Sequence, residues 1–289
     1  MHGVTQAQFN LARPLGIRLI RRTLYWSYIE KTDQPGAYDA DGLATWDDIV
    51  RRAATTGVEL VVVVHGNPPG VGWENRDESY ERFAQFMEFA ARRWPAVRYW
   101  ELWNEMDVGC TDLFGAGGEG LAPFERGRRY ARMLQHAYPA LKRGNPKAWV
   151  LLGGVATVGE FIRGVYEEGG RDFFDFMNIH TYGVPLDWPV LCRGTIARNI
   201  MARYGDSNRP MWNTEFGIDA GSIFAASGAT TGEQFDAGNE RGLDMSRVTL
   251  PEGRQIDDYG FGLTRRDGTT PRPTYDWLLE AQVNRPIQK

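Results

Sequence analysis

Two glutamates each close a strand-like apolar run. Glu105 ends Val97-Arg98-Tyr99-Trp100-Glu101-Leu102-Trp103-Asn104-Glu105. Glu215 ends Pro210-Met211-Trp212-Asn213-Thr214-Glu215 and is followed by Phe216-Gly217. Carboxylates at the C-terminal ends of two buried strands, far apart in sequence, are how a parallel barrel brings two acids into one cleft. A pair of acids is what glycosidic-bond cleavage requires.

Alternating elements must carry that pair. Ile17 to Leu24 reads as a strand. Asp41 to Thr55 reads as a helix, with Leu43, Trp46, Ile49, Val50 and Ala53 at helical spacing and Gly57 at the C-cap position. Val58 to Val64 is a β-branched run suited to a strand buried on both faces. Glu78 to Trp94 is a helix stopped by Pro95, and Val97 to Trp103 the next strand. Pro123 to Arg143 (helix), Trp149 to Val155 (strand), Glu160 to Glu168 (helix), Phe173 to Thr181 (strand), Thr195 to Tyr204 (helix) and Pro210 to Glu215 (strand) complete the alternation. Repeating βα units with continuous apolar strands imply a parallel sheet with helices outside. Over 289 residues this predicts a single-domain (β/α)8 TIM barrel. A doubly wound sheet is the alternative, but no Gly-x-Gly-x-x-Gly turn follows the first strand.

The composition narrows the partners. Apolar residues make up 42% of the chain, and the net charge is −4 with no Lys/Arg block, which argues against nucleic acid. No apolar run approaches the roughly 18 residues of a membrane span. Met1 to Gln6 has no charged region followed by an apolar one, so the reading is a cytoplasmic protein or the trimmed remainder of a secreted one. Cys110 and Cys192 form no framework. Both are expected on loops of one face, as free thiols or as a disulfide. Ten tryptophans serve either core packing or sugar stacking. Asp107, Asp112 and Asp187 read as solvated loop residues, because no cluster has metal-ligand spacing. No cofactor is expected.

Several motifs in order resemble clan A glycoside hydrolases, closest to the family 39 and family 5 branches of retaining β-glycosidases. Trp103-Asn104-Glu105 and Thr214-Glu215-Phe216-Gly217 resemble the acid/base and nucleophile strands. Leu15 to Arg21, with Trp26 and Ile29-Glu30, resembles their second strand, and His180-Thr181-Tyr182-Gly183 their sixth. Gly260 to Leu263, Arg266-Asp267-Gly268 and Pro271 to Tyr275 resemble the closing segment. The resemblance implies a β-linked oligo- or polysaccharide substrate. Glu105 would be the general acid/base and Glu215 the nucleophile. Asn104 would bond the sugar 2-hydroxyl, while Arg21 and Tyr182 would contact the nucleophile and keep it ionised. His65 and His180 would line the subsite beside the scissile bond. Trp26, Trp73 and Trp188 are candidate stacking residues, and Trp103 reads as core. A non-catalytic carbohydrate-binding relative and an inverting hydrolase stay open as alternatives.

The pattern breaks at two places. A first strand is missing or reduced to Met1 to Val4, because Val4 to Arg13 reads as a helix. Between Gly217 and Pro271 there is no Trp, and Gly221 to Asp258 shows little periodicity, with Tyr259 to Leu263 as a weak seventh strand. First and last strands are neighbours in a closed barrel. The expectation is a barrel incomplete or distorted at that seam, its edge covered by a homo-oligomer or by a rearranged loop.

Overall fold

A computed structural model describes residues 6–14, 16–72, 76–108, 120–182, 187–217, 245–249 and 255–260. They fall into two compact groups. One comprises Leu19–His180 with Cys192–Glu215, the other Met1–Arg18, Thr181–Leu191 and Phe216–Lys289.

In the first group, β1 (Leu19–Tyr25), β2 (Glu59–His65), β3 (Tyr99–Leu102) and β4 (Trp149–Leu152) pair in parallel and in chain order. Parallel bridges Leu151↔Phe176 and Val155↔Ile179 carry the order on to β5 (Met177–Tyr182), which pairs with β6 (Met211–Gly217). The six strands expected before Phe216 are all present. Helices stand between them: α3 (Ala40–Thr56), α4 (Arg76–Arg93), α5 (Pro123–Gly144), α6 (Glu160–Glu167) and α7 (Asp187–Arg203), with α2 (Trp26–Ile29) a single turn after β1.

Local chemistry explains these elements. Asp39 caps α3 by accepting the Gly42 N–H at 2.7 Å, and Gly57 ends it in the left-handed conformation at φ 71°. Val61 to Val64 are buried on both faces of β2, and each such side chain contributes roughly 1.5–3 kcal/mol. The register aligns Thr23, Val63 and Glu101, so one face of the sheet carries Arg21, Tyr25, His65 and Glu101. At the N-terminal end of that wall Tyr99, Trp149, Phe176 and Trp212 form a ring cluster with centroids 5.0–6.4 Å apart. Much of the aromatic content is thus packing.

Three expectations are corrected here. Helix α7 begins at Asp187, eight residues before Thr195, so Trp188 and Cys192 belong to a helix and not to a loop. Pro189 sits in its first turn, where a missing N–H costs nothing. Cys192 is a free thiol, and Cys110 lies outside the described residues. In the second group α1 (Gln6–Ala12) matches the expected N-terminal helix. Strands β7 (Met245–Thr249) and β8 (Gln255–Gly260) pair antiparallel, with Ser246 opposite Tyr259. Tyr259 therefore belongs to a local hairpin and not to a seventh parallel strand. The five residues between β7 and β8 are too few for a parallel crossover. The expected seam defect falls on Met1 to Val4 and Gly221 to Asp258, of which 1–4, 221–244 and 250–254 lie outside the described residues. Among the described residues no helix is long and apolar enough to cross a membrane.

Candidate active site

Arg21, on β1, is the hub. Its Nε donates to Glu101 Oε2 at 2.9 Å and its Nη2 to Glu101 Oε1 at 2.8 Å, a bidentate fork. Nη2 also donates to Asn104 Oδ1 at 2.8 Å, and Nη1 donates to Glu215 Oε1. One guanidinium thus ties the ends of β1, β3 and β6 together. Burial opposes the charge on Arg21, and Glu101 and Glu215 more than restore it.

His180, on β5, joins the two strand-end glutamates. Its Nδ1 lies 2.8 Å from Glu105 Oε1 and 3.7 Å from Glu215 Oε2. Its Nε2 lies 3.1 Å from Thr214 Oγ1 and 3.6 Å from Glu101 Oε1. The Thr214 hydroxyl donates to Asn178 Oδ1 at 3.0 Å, so it accepts from Nε2. With Nδ1 facing a carboxylate, both ring nitrogens then serve as donors, which only the imidazolium does. Burial lowers the proton affinity of the ring, but Glu101, Glu105 and Glu215 overcome it and lift His180 to about 9. Gly154 makes room for the ring: a Cβ there would stand 1.9 Å from His180 Nε2.

Glu105 is presented by unusual backbone. Trp103 and Glu105 are both left-handed, at φ 71° and 49°, a conformation that costs a non-glycine residue about 1–2 kcal/mol. Neighbouring contacts hold it there. The Glu105 N–H donates to Gly154 O at 3.2 Å, and the Trp103 N–H to Val64 O at 2.9 Å. Tyr130 donates to Leu102 O at 2.6 Å and accepts from the Gly153 N–H at 2.9 Å. Two residues on, in a 3₁₀ turn (Met106–Val108), Asp107 accepts from the Ala156 N–H at 3.1 Å and from the backbone and hydroxyl of Thr157. The expectation of a solvated Asp107 is overturned: it is 1% exposed and clamps the Glu105 turn to the segment after β4.

Of the residues chosen from sequence, Arg21, Asn104, Glu105, His180 and Glu215 converge. Trp26 does not join them. It is fully buried, packed on Phe83 and Phe86 with its Nε1 bonded to Glu30, so it is core and cannot stack on a sugar. Trp103 is core as expected, edge-on to Phe83. His65 ends β2 between the rings of Tyr25 and Trp103, at 4.8 and 6.2 Å. Tyr182 is the last residue of β5 and half-buried. The side chains of Trp188 and Asp187, and all of Trp73 and Asp112, lie outside the described residues. Sequence reasoning missed Glu101, Asp107, Thr214 and Gly154. A carboxylate set between Trp100 and Leu102 inside the apolar run was the available signal for Glu101. It also missed Tyr25, 40% exposed beside His65, and Tyr28, 42% exposed and edge-on to Tyr25 at 5.2 Å.

One ligand atom each from Glu105, His180 and Glu215 fall within 4.8 Å of one another, close enough to surround a cation. That charge is already supplied from within, by the guanidinium on Glu215 and the imidazolium between the two glutamates.

A wall of successive parallel strands with two carboxylates and their cations at its C-terminal end is what a (β/α)8 glycoside hydrolase barrel would present. The sequence matches the Cellulase family, glycosyl hydrolase family 5, over residues 2–244, and the chain belongs to that family. No curated protein matches it. Among solved structures it is similar to a family 39 glycoside hydrolase from Bacteroides cellulosilyticus, at 21% identity and TM-score 0.63, over 97% of this chain and 61% of that one. A monomeric β-xylosidase from Caulobacter crescentus is 18% identical with TM-score 0.63, over 97% and 65%. An exo-β-1,4-mannosidase from an Opitutaceae bacterium is 16% identical with TM-score 0.60, over 96% and 55%. The chain therefore spans less than two thirds of the length of these structures, and the likeness concerns the fold.

Proposed function

We propose that the protein is a retaining β-glycosidase acting on β-linked oligo- or polysaccharides, with all 289 residues as one catalytic domain. Glu215 attacks the anomeric carbon while Glu105 protonates the departing glycosidic oxygen. The resulting glycosyl ester on Glu215 is then hydrolysed by a water that Glu105 deprotonates. The observation that carries this reading is the approach of Glu105 and Glu215 oxygens to within 4.8 Å. Retaining pairs stand roughly 5–5.5 Å apart, and inverting pairs roughly 6.5–9.5 Å, to admit a water between acid and base. Arg21 against Glu215 supports the division of roles, because the guanidinium fixes one oxygen of the attacking carboxylate. Arg21 holds the Asn104 amide oxygen, which leaves the amide nitrogen as the donor for a sugar hydroxyl. His65, at the end of β2, would line the glycone subsite.

A panel of chromogenic β-glucosides, β-xylosides, β-mannosides and β-galactosides, run with Glu215→Ala beside the wild type, tests this. The expected result is turnover of at least one substrate, reduced roughly 10⁴-fold or more by the substitution. Sugar binding without turnover on any substrate would instead establish a non-catalytic carbohydrate-binding relative.

A further inference from the structure

Glu101 has no part in the chemistry just proposed, yet it is completely buried beneath it. A carboxylate is not buried in a sheet without cause, since desolvation costs several kcal/mol unless cations repay it. Both cations of the site do so. Arg21 clasps Glu101 with two nitrogens and offers only the remaining one, Nη1, to Glu215. His180 turns Nε2 towards Glu101 and Nδ1 towards Glu105 and Glu215.

We infer that Glu101 is a positioning residue, the fixed anion that orients Arg21 onto the nucleophile and aims the His180 ring between the two catalytic carboxylates. This rests on the reading of Glu215 as nucleophile. In that cycle the charge on Glu215 is consumed when the glycosyl ester forms and returns when it is cleaved, and Glu105 gives up and regains a proton. Glu101 alone keeps its charge and its partners throughout. Without it the remaining carboxylates on Arg21 and His180 would be ones whose charge alternates, and both cations would shift at each half-reaction. The surroundings agree. Burial pushes the Glu101 carboxyl up, but Arg21 and His180 bring it below its ordinary value. Among the described residues Tyr130, from α5, also lies near Glu101, and its burial keeps the phenol neutral. Among the described residues the carboxylates facing the His180 ring are Glu101, Glu105 and Glu215, and Arg193 donates to the His180 carbonyl at 3.0 Å.

The test uses the full chain with Glu101→Gln, which removes the charge and keeps the shape, and Glu101→Asp, which keeps the charge and shortens the reach. With four histidines in the chain, His180 is followed by imidazole NMR and assigned by His180→Asn. Expected for Glu101→Gln is a His180 midpoint lowered from about 9 by at least one unit, about tenfold in proton affinity. Its kcat should fall roughly 100-fold, the order expected when a reacting group is misplaced by about 1 Å, with KM nearly unchanged. Glu101→Asp should keep the high midpoint and recover part of kcat. A folded Glu101→Gln with wild-type midpoint and kcat would overturn the inference, as would Glu101→Asp no better than Glu101→Gln, which indicates packing alone. If Glu101→Gln does not fold, Glu101→Asp decides: a high midpoint with reduced kcat supports the role, and wild-type kcat rejects it. The NMR midpoint needs no turnover, so this outcome is separate from any failure of Glu215→Ala to abolish activity.

Discussion

The two catalytic candidates are held in opposite ways. Glu215 sits in an ordinary strand, and charge holds its side chain: Arg21 on one oxygen, His180 near the other. Glu105 stands just past β3 on left-handed backbone, its N–H donating to Gly154 O, with Tyr130 donating to Leu102 O and Asp107 accepting from the segment after β4. The Glu215 side is electrostatic and answers to pH. The Glu105 side is geometric and answers to volume and backbone. A group that forms a covalent bond gains from a cation that also steadies its charge, whereas a proton shuttle needs its oxygen aimed at the leaving group.

The largest break should come at Gly154, where the two regions touch. Gly154→Ala would put a methyl group into the His180 ring, so the ring must leave its place between the glutamates. Activity on any substrate should fall at least roughly 100-fold, and thermal unfolding should show a loss of about 1–3 kcal/mol from overpacking. Next is Asp107→Ala, which strands the Ala156 and Thr157 N–H groups. Denaturant titration should show roughly 2–4 kcal/mol lost. Because the change acts on the Glu105 turn, glycosides with poor leaving groups should slow more than activated aryl glycosides. Equal slowing would mean the clamp serves stability only.

The electrostatic side should show in pH. His180 is raised from an ordinary 6.5 to about 9 in the fold. The folded state therefore binds the proton more tightly, and that stability is fully present below pH 6.5. It is lost as pH rises to about 9, by at most about 3 kcal/mol. Urea midpoints measured across that window should fall in the wild type and stay nearly level in His180→Asn. The smallest effect is expected at Tyr25→Ala. Tyr25 is exposed beside His65, so stability should change by less than about 0.5 kcal/mol, while KM for oligosaccharides rises a few-fold if the ring meets a sugar.

The same division marks what could be read in advance. Elements set by local chemistry were legible: the Val61–Val64 strand, the Asp39 and Gly57 caps of α3, and the glutamates at the ends of two apolar runs. Arg21, Asn104 and His180 came through motif likeness and do converge. What stayed hidden depends on register between distant strands. Alternation within β3 says which residues share a face, but not that Glu101 would meet Arg21 from β1 and His180 from β5. Trp26 was misjudged for a related reason. An aromatic after a strand end can turn to the cleft or to the helices, and here α2 and Phe86 take it inward. The β7–β8 hairpin escaped notice because a polar antiparallel pair carries no continuous apolar run.

The central claim is that Glu215 carries the sugar. Incubation with a 2-deoxy-2-fluoro glycoside bearing a good leaving group, followed by digestion and mass spectrometry, tests it directly. The predicted result is one sugar mass on the peptide containing Glu215, absent in Glu215→Ala. A label on Glu105 or Glu101, or steady turnover with inverted anomeric configuration and no labelled peptide, would contradict it.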